Sequence, residues 1–212
     1  MGYDMVDLAG VSIANSFVTN PEWTIDTLRR FISYLDPICT ESEQNYVASL
    51  VKTDDMVTMQ QFLLNFWCKR APMNPNAAFQ DYLAAVKRVN MSFQTTAYPG
   101  YHTDRGYVFL KYGQPDKIVE VPDEPASRPY TIWHYYQVAN QRDKKFVFMA
   151  PDRSTNDYQL IHSNMVGEIN NPRWPLEIYH GVYGQGYDEG VDQTEYQRSW
   201  GSRAVDLYNN PR

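Results

Sequence analysis

No run of about 18 apolar residues occurs in this chain of 212 residues, so a transmembrane helix is excluded. Basic residues are in the minority, 19 against 25 acidic ones, and the net charge is −6. A nucleic-acid backbone demands clustered cations, so this balance argues against a nucleic-acid partner. The densest basic groups, Arg29-Arg30 and Lys144-Lys145, lie beside Asp26 and Asp143 and read as solvated faces. Cysteine is scarce: Cys39 and Cys68 stand 29 residues apart without CxxC spacing, which excludes a disulfide framework. They make either one disulfide or two buried thiols, with burial the default.

The signatures of several chemistries are missing as well. There is no HExxH helix and no dense His/Cys cluster, so neither a metal nor a cofactor is expected. Walker A, GxSxG and nucleophilic-cysteine patterns are absent. Gly184-Gln185-Gly186 with Gly190 misses the spacing of a dinucleotide fingerprint. Asp188, Glu189, Asp192 and Glu195 lack the alternating oxygens of a calcium loop and read as a solvated loop. Met1-Gly2 is followed by acidic residues, unlike a secretory leader, and Val6 occupies the place of a myristoylation Ser or Thr. The chain is therefore expected to start inside a longer parent.

What the chain does have is aromatic residues, 15% of the total with 17 tyrosines. Tyrosine joins a large contact area to a polar tip, which suits exposed binding surfaces of extracytoplasmic proteins. Hydrophobic and charged shares, 43% and 21%, are ordinary for a globular chain, and the length fits one sizeable domain or a domain with an appendage.

Along the chain the hydrophobic period changes near Gly100. Residues 1–20 read as a connector or arm. Asn20-Pro21 gives a cap-plus-proline start to a helix with Ile25, Leu28, Ile32 and Leu35 inward, stopped by Pro37. Thr40-Glu41-Ser42-Glu43 is a capping box for a second helix. Thr53 or Asp54 caps a third, with Met59, Phe62, Leu63, Phe66 and Trp67 on one face. Asn74-Pro75 opens a fourth, with Phe79, Tyr82, Val86, Val89 and Phe93 as its stripe. Beyond Gly100, strands are expected at Arg105–Tyr112, Lys117–Val121, Tyr130–Val138, Lys145–Met149 and Tyr158–His162. Short loops between them favour an antiparallel meander, and the helices are the available cover. The expected fold is α+β: about four helices over 21–97 packed on about five strands over 104–163. The domain so defined spans 21–180, and 181–212 holds a Gly-rich loop and a last helix, Glu195 to Tyr208.

The pentapeptide Gly100-Tyr101-His102-Thr103-Asp104 resembles the signature of the GWxTD domain family, and the likeness extends to both sides. Phe66-Trp67 with Arg70 and Pro72 is similar to the family's upstream element. Arg105-Gly106, Lys111-Tyr112-Gly113-Gln114-Pro115-Asp116, Trp133-His134-Tyr135, Phe146-Val147-Phe148 and Tyr158-Gln159-Leu160 fall in the family's order. Tyr101 stands where the motif has Trp, and Ala71 where an Asp is usual. The resemblance implies a bacterial protein of the Bacteroidota and related lineages, located in the periplasm or extracytoplasmic envelope. It implies no reaction.

The residues themselves offer two readings of the motif. In the structural one, Gly100 permits a tight approach, Tyr101 anchors the loop, and Thr103 and Asp104 accept backbone N–H bonds, with Arg105, Gly106, Gly113 and Pro115 completing the turn chemistry. Asp104 is also placed to pair with Arg70 or Arg88. In the catalytic one, Asp104 and His102 form an acid/base pair with Arg105 beside them, as in a hydrolase. The structural reading is preferred. His134 and His162 read as satisfied polar groups of the sheet. Candidate binding residues for a protein or glycan are Tyr101, Trp133, Tyr135, Tyr136 and Trp174. Alternation sends Trp133 and Tyr135 to one face and Tyr136 to the other. The expected function is a non-catalytic interaction or structural module of an envelope protein, with a hydrolase or a glycan-binding domain as alternatives.

Overall fold

The computed structural model describes residues 22–124, 127–152, 156–178 and 203–211. The connector expected at 1–20, the Asn20-Pro21 cap and the Gly-rich segment lie outside the described residues. The chain forms two compact units, Met1–Arg88 and Val89–Arg212.

Three helices and most of a fourth build the first unit, and each start is set by a side-chain cap. Helix α1 spans Ile25–Ser33 and does not start at Asn20-Pro21: residues 22–24 are not helical, and Thr24 is the cap, its hydroxyl accepting the Thr27 N–H. Helix α2, Glu41–Leu50, has the reciprocal capping box: Thr40 and Glu43 each accept the other's backbone N–H. Helix α3, Met56–Arg70, is capped by Asp55 rather than by Thr53 or Asp54. Helix α4, Pro75–Phe93, starts where Asn74 accepts the Ala77 N–H. Their apolar stripes meet in a core of Leu28, Ile32, Leu35, Met59, Leu63, Phe66, Trp67 and Phe79. Burying each such side chain stabilises by about 1.5–3 kcal/mol, enough to give this unit a core of its own. Cys39 and Cys68 are free and half-buried against it, and burial pushes the Cys39 thiol up to about 12. Arg70 stacks on Phe66 and donates to Glu43 and to the Ile38 carbonyl. That bond holds the Glu43 carboxyl down at about 2.

The second unit contains the sheet. Strands β1 (Lys117–Val121), β2 (Tyr130–Val138), β3 (Gln141–Met149) and β4 (Gln159–Ser163) form an antiparallel meander in the order β1-β2-β3-β4. The fold is α+β. The segment expected as a first strand, Arg105–Tyr112, is instead helix α5, Asp104–Tyr112. Strand alternation gives the sheet two apolar faces. On one, Trp133, Tyr135, Phe146 and Phe148 pack with Val108 of α5 and Phe93 of the last turn of α4. On the other, Val119, Ile132, Val147 and Ile161 are covered by two short helices, α6 (Trp174–Ile178) and α7 (Ala204–Asn209). Helix α7 is the described part of the expected C-terminal helix; the stretch before Arg203 lies outside the described residues.

The β2–β3 connection is a two-residue hairpin loop, Ala139-Asn140, between the pair Val138 and Gln141. Both loop residues have positive φ, 46° and 62°, the signature of a type I′ turn. Alanine is poorly suited to this conformation, whereas asparagine adopts it readily. Ala139→Asn is expected to stabilise the protein by about 0.5–1 kcal/mol, read as a higher urea midpoint at unchanged slope.

Candidate functional site

The pentapeptide sits where three backbone segments of the second unit converge: the end of α4, the start of α5 and strand β4. Gly100–His102 is a single 3₁₀ turn. Thr103 then caps α5. Its buried hydroxyl donates to the Gly100 carbonyl at 2.7 Å and accepts the Gly106 N–H at 3.1 Å, closing the 3₁₀ turn and opening the helix with one group. Asp104 occupies the first helical position, and its Oδ2 accepts the Leu160 N–H of β4 at 2.7 Å. A carboxylate there also faces the positive end of the α5 dipole.

Neither glycine is present for flexibility. A Cβ on Gly106 would overlap the Gly100 carbonyl oxygen and lie 2.9 Å from Val89 Cγ1. A Cβ on Gly100 would overlap the Val89 oxygen and lie 2.8 Å from Asn90 Cα. The 3₁₀ turn is thus pressed directly between α4 and α5, and Asn90 Oδ1 accepts the Tyr101 N–H at 3.0 Å.

Arg105 completes the junction. Its guanidinium lies between the rings of Phe93 and Tyr158, 5.0 and 4.2 Å from their centroids. One nitrogen donates to the Asn156 carbonyl at 2.8 Å, and Asn156 in turn donates to the Gln94 carbonyl at 3.3 Å. Burial lowers the Arg105 pKa below the usual guanidinium range. At the far end of α5, Gly113 terminates the helix with φ 84° and donates to Phe109. Its carbonyl accepts the Tyr135 hydroxyl at 2.9 Å, Pro115 is buried, and Asp116 accepts the Tyr136 N–H.

These five residues are not all enclosed. His102, Thr103 and Asp104 line an open groove of about 360 Å³ together with Tyr98, Asp157, Gln159 and Leu160. His102 is exposed, and its ring lies against that of Tyr101, centroids 4.2 Å apart. Asp104 therefore borders a groove while its Oδ2 is committed to a backbone amide. Its expected partner Arg70 is bonded to Glu43 instead.

The family model for the GWxTD domain matches residues 9–173. The chain belongs to the GWxTD domain family. No curated protein and no solved structure matches it.

The match takes in the helices of the first unit as well as the pentapeptide and the sheet, so the family pattern is wider than its signature. Within the GWxTD junction, the expected structural residues Gly100, Thr103, Asp104, Arg105, Gly106, Gly113 and Pro115 come together around α5. The expected binding residues do not form a platform. Trp133 and Tyr135 are each 2% exposed and Trp174 is 5% exposed, all within cores, because helices cover both faces of the sheet. Tyr101 is half-buried, and of this group only Tyr136 is open, at 57%.

Three residues with central roles carry no local signal in the sequence. Asn156 joins Arg105 to the segment after α4. Glu168 accepts from Lys111 at 2.7 Å and from Tyr112 at 2.6 Å, tying α5 to the loop after β4. Burial works against the Lys111 charge, but Glu168 and Tyr107 outweigh it and hold its pKa above the usual lysine range. The Tyr112 hydroxyl is pushed up to about 12 by burial and by Glu168. Glu124, 6% exposed, accepts from Ser127, Tyr130 and the Arg203 N–H, which docks the start of α7. Such partners are set by tertiary approach, so only the sequence's polar residues, not their pairings, were visible beforehand.

Proposed function

We propose that the chain is a non-catalytic protein-interaction or structural module of a bacterial cell-envelope protein, from the Bacteroidota and related lineages, working in the periplasm or another extracytoplasmic compartment. The observation that carries this reading is the bond from the Leu160 amide to Asp104, the one carboxylate of the motif. The motif's carboxylate thus has a structural task, with Asp104 Oδ2 holding β4 to α5. Thr103 and Arg105 are likewise spent on backbone carbonyls and amides. Amphipathic rings suited to protein binding are exposed on the second unit, where Tyr98 is 59% and Tyr136 57% open.

The hydrolase alternative rests on the groove shared by His102, Asp104 and Asp157. Affinity capture from native envelopes with the full-length parent separates the two. The proposed function gives a stoichiometric envelope partner that is retained by a His102→Ala variant. A parent that purifies alone and hydrolyses a substrate in a His102-dependent manner contradicts it.

A further inference from the structure

The two helices covering the outer sheet face meet over a single histidine. His162, on β4, is 7% exposed. Its Nδ1 accepts the Asn171 N–H at 3.1 Å. A backbone amide only donates, so Nδ1 carries no proton here, and the ring proton sits on Nε2, 3.2 Å from the Tyr208 hydroxyl of α7. The ring also stacks on Trp174 of α6, with centroids 5.8 Å apart and planes 16° apart. Trp174 and Tyr208 touch each other across a 5.2 Å centroid distance. One neutral imidazole thus joins the sheet to α6, α7 and the loop before α6, beside the apolar contacts of Ile178, Ala204 and Leu207.

Among the described residues, no carboxylate is directed at His162 to hold a positive charge there. From β3, the Lys145 ammonium lies 5.2 Å from the Tyr208 ring centroid. Asp143, the nearest carboxylate on that strand, is 68% exposed and already shared, 3.3 Å from Lys145 and 2.7 Å from His134 of β2. Burial works against the Asp143 charge, but Lys145 and His134 keep its pKa below the usual carboxylate range. From α6, Glu177 is bonded to the Asn171 side chain at 2.6 Å. From α7, the Tyr208 hydroxyl is a neutral group whose pKa is raised by burial. At the far end of α7, Glu124 accepts the Arg203 N–H independently of His162.

Protonating Nδ1 would set two N–H groups against each other in a site closed to water. We infer that the α6–α7 cover is a pH-sensitive latch, closed by neutral His162 and released from the Tyr208 end in mild acid, while Glu124 keeps the Arg203 end attached. Burial pushes the His162 pKa below its ordinary 6.5. The sign follows from proton counting: the open state binds the proton more readily than the closed one. Closure is therefore fully supported above about pH 6.5 and is lost as pH falls through the lowered value.

Hydrogen exchange by mass spectrometry on the full chain tests the latch at pH 7.5 and 5.0, with intrinsic rates corrected. Amides of residues 207–210, bonded within α7, are expected to lose about tenfold in protection for each pK unit separating open and closed states, while the Arg203 amide stays protected by Glu124. His162→Gln offers an oxygen to Asn171 and an N–H to Tyr208 without titrating, so its protection is expected to stay level across the same range. Unchanged wild-type protection at pH 5.0, or an equal loss in His162→Gln, overturns the latch. Long-range imidazole ¹H–¹⁵N correlation in the wild type reads the same device without a variant. A His162 Nε2–H tautomer that persists until the 207–210 amides open supports it, and ordinary free-imidazole titration with those amides still protected overturns it.

Discussion

Gly106→Ala is expected to lower the stability of the second unit by about 3 kcal/mol or more, although alanine is the better helix former. In an unconstrained helix interior the same change would stabilise by about 1 kcal/mol. Here the new Cβ would overlap the Gly100 carbonyl oxygen, a backbone atom held in place by Thr103 and by the Val89–Asn90 turn of α4. No flexible side chain is available to yield. Gly100→Ala meets backbone as well and is expected to behave alike. Gly113→Ala is the contrast: nothing lies within 4 Å of its Cβ, so only its backbone, φ 84° with ψ −168°, opposes the change, at about 1–3 kcal/mol. Urea unfolding of the three variants checks the order. A Gly106→Ala protein as stable as the wild type would show that the 3₁₀ turn is not pressed between the helices.

Glu124→Ala is expected to cost about 3 kcal/mol through a different mechanism. The carboxylate accepts from Ser127 Oγ at 2.8 Å, Tyr130 Oη at 3.2 Å and Arg203 N at 2.9 Å. Tyr130 is fully buried at 0% exposure, so its hydroxyl has no water to turn to. An orphaned buried donor costs about 1–3 kcal/mol, and losing the acceptor at the start of α7 adds to it. The ion pair with the Arg203 side chain adds little, because that side chain is 72% exposed. Glu124→Gln keeps one acceptor oxygen and is expected to lose about 1 kcal/mol. Equal stability of Glu124→Ala and wild type would mean that α7 is held without this carboxylate.

Much of the architecture is legible in the sequence because local signals agree with the fold. The Thr40–Glu43 capping box, the Asn74-Pro75 start and the limits of β1 and β2 are where the sequence places them. The segment 105–112 was misread for a physical reason. Tyr107, Val108 and Phe109 favour a strand by composition, but Thr103 at the cap, Asp104 in the first turn, Lys111 in the last and Gly113 just beyond it are a complete set of helix-end signals. The ends decided what the interior left ambiguous. Trp133 and Tyr135 were assigned to one strand face correctly, yet alternation alone does not say whether a face is covered. Covering came from elements whose docking depends on Phe93, Trp174 and Leu207 approaching from elsewhere in the chain. The motif's turn chemistry was legible in Thr103 and Asp104, whereas Asn156 and Glu168 acquire their roles only through contacts about 50 residues apart.

The central claim is that Asp104 is an acceptor for the β4 backbone, and paired substitutions test it most directly. Asparagine still offers an oxygen to the Leu160 amide and forfeits only the charge at the α5 N-terminus, so Asp104→Asn is expected to lose about 0.5 kcal/mol. Asp104→Ala offers nothing and is expected to lose about 1–2 kcal/mol. Removing a catalytic carboxylate from a groove commonly leaves stability unchanged or raises it. Thermal midpoints that fall in the order wild type, Asp104→Asn, Asp104→Ala support the structural account; midpoints of both variants at or above the wild type contradict it.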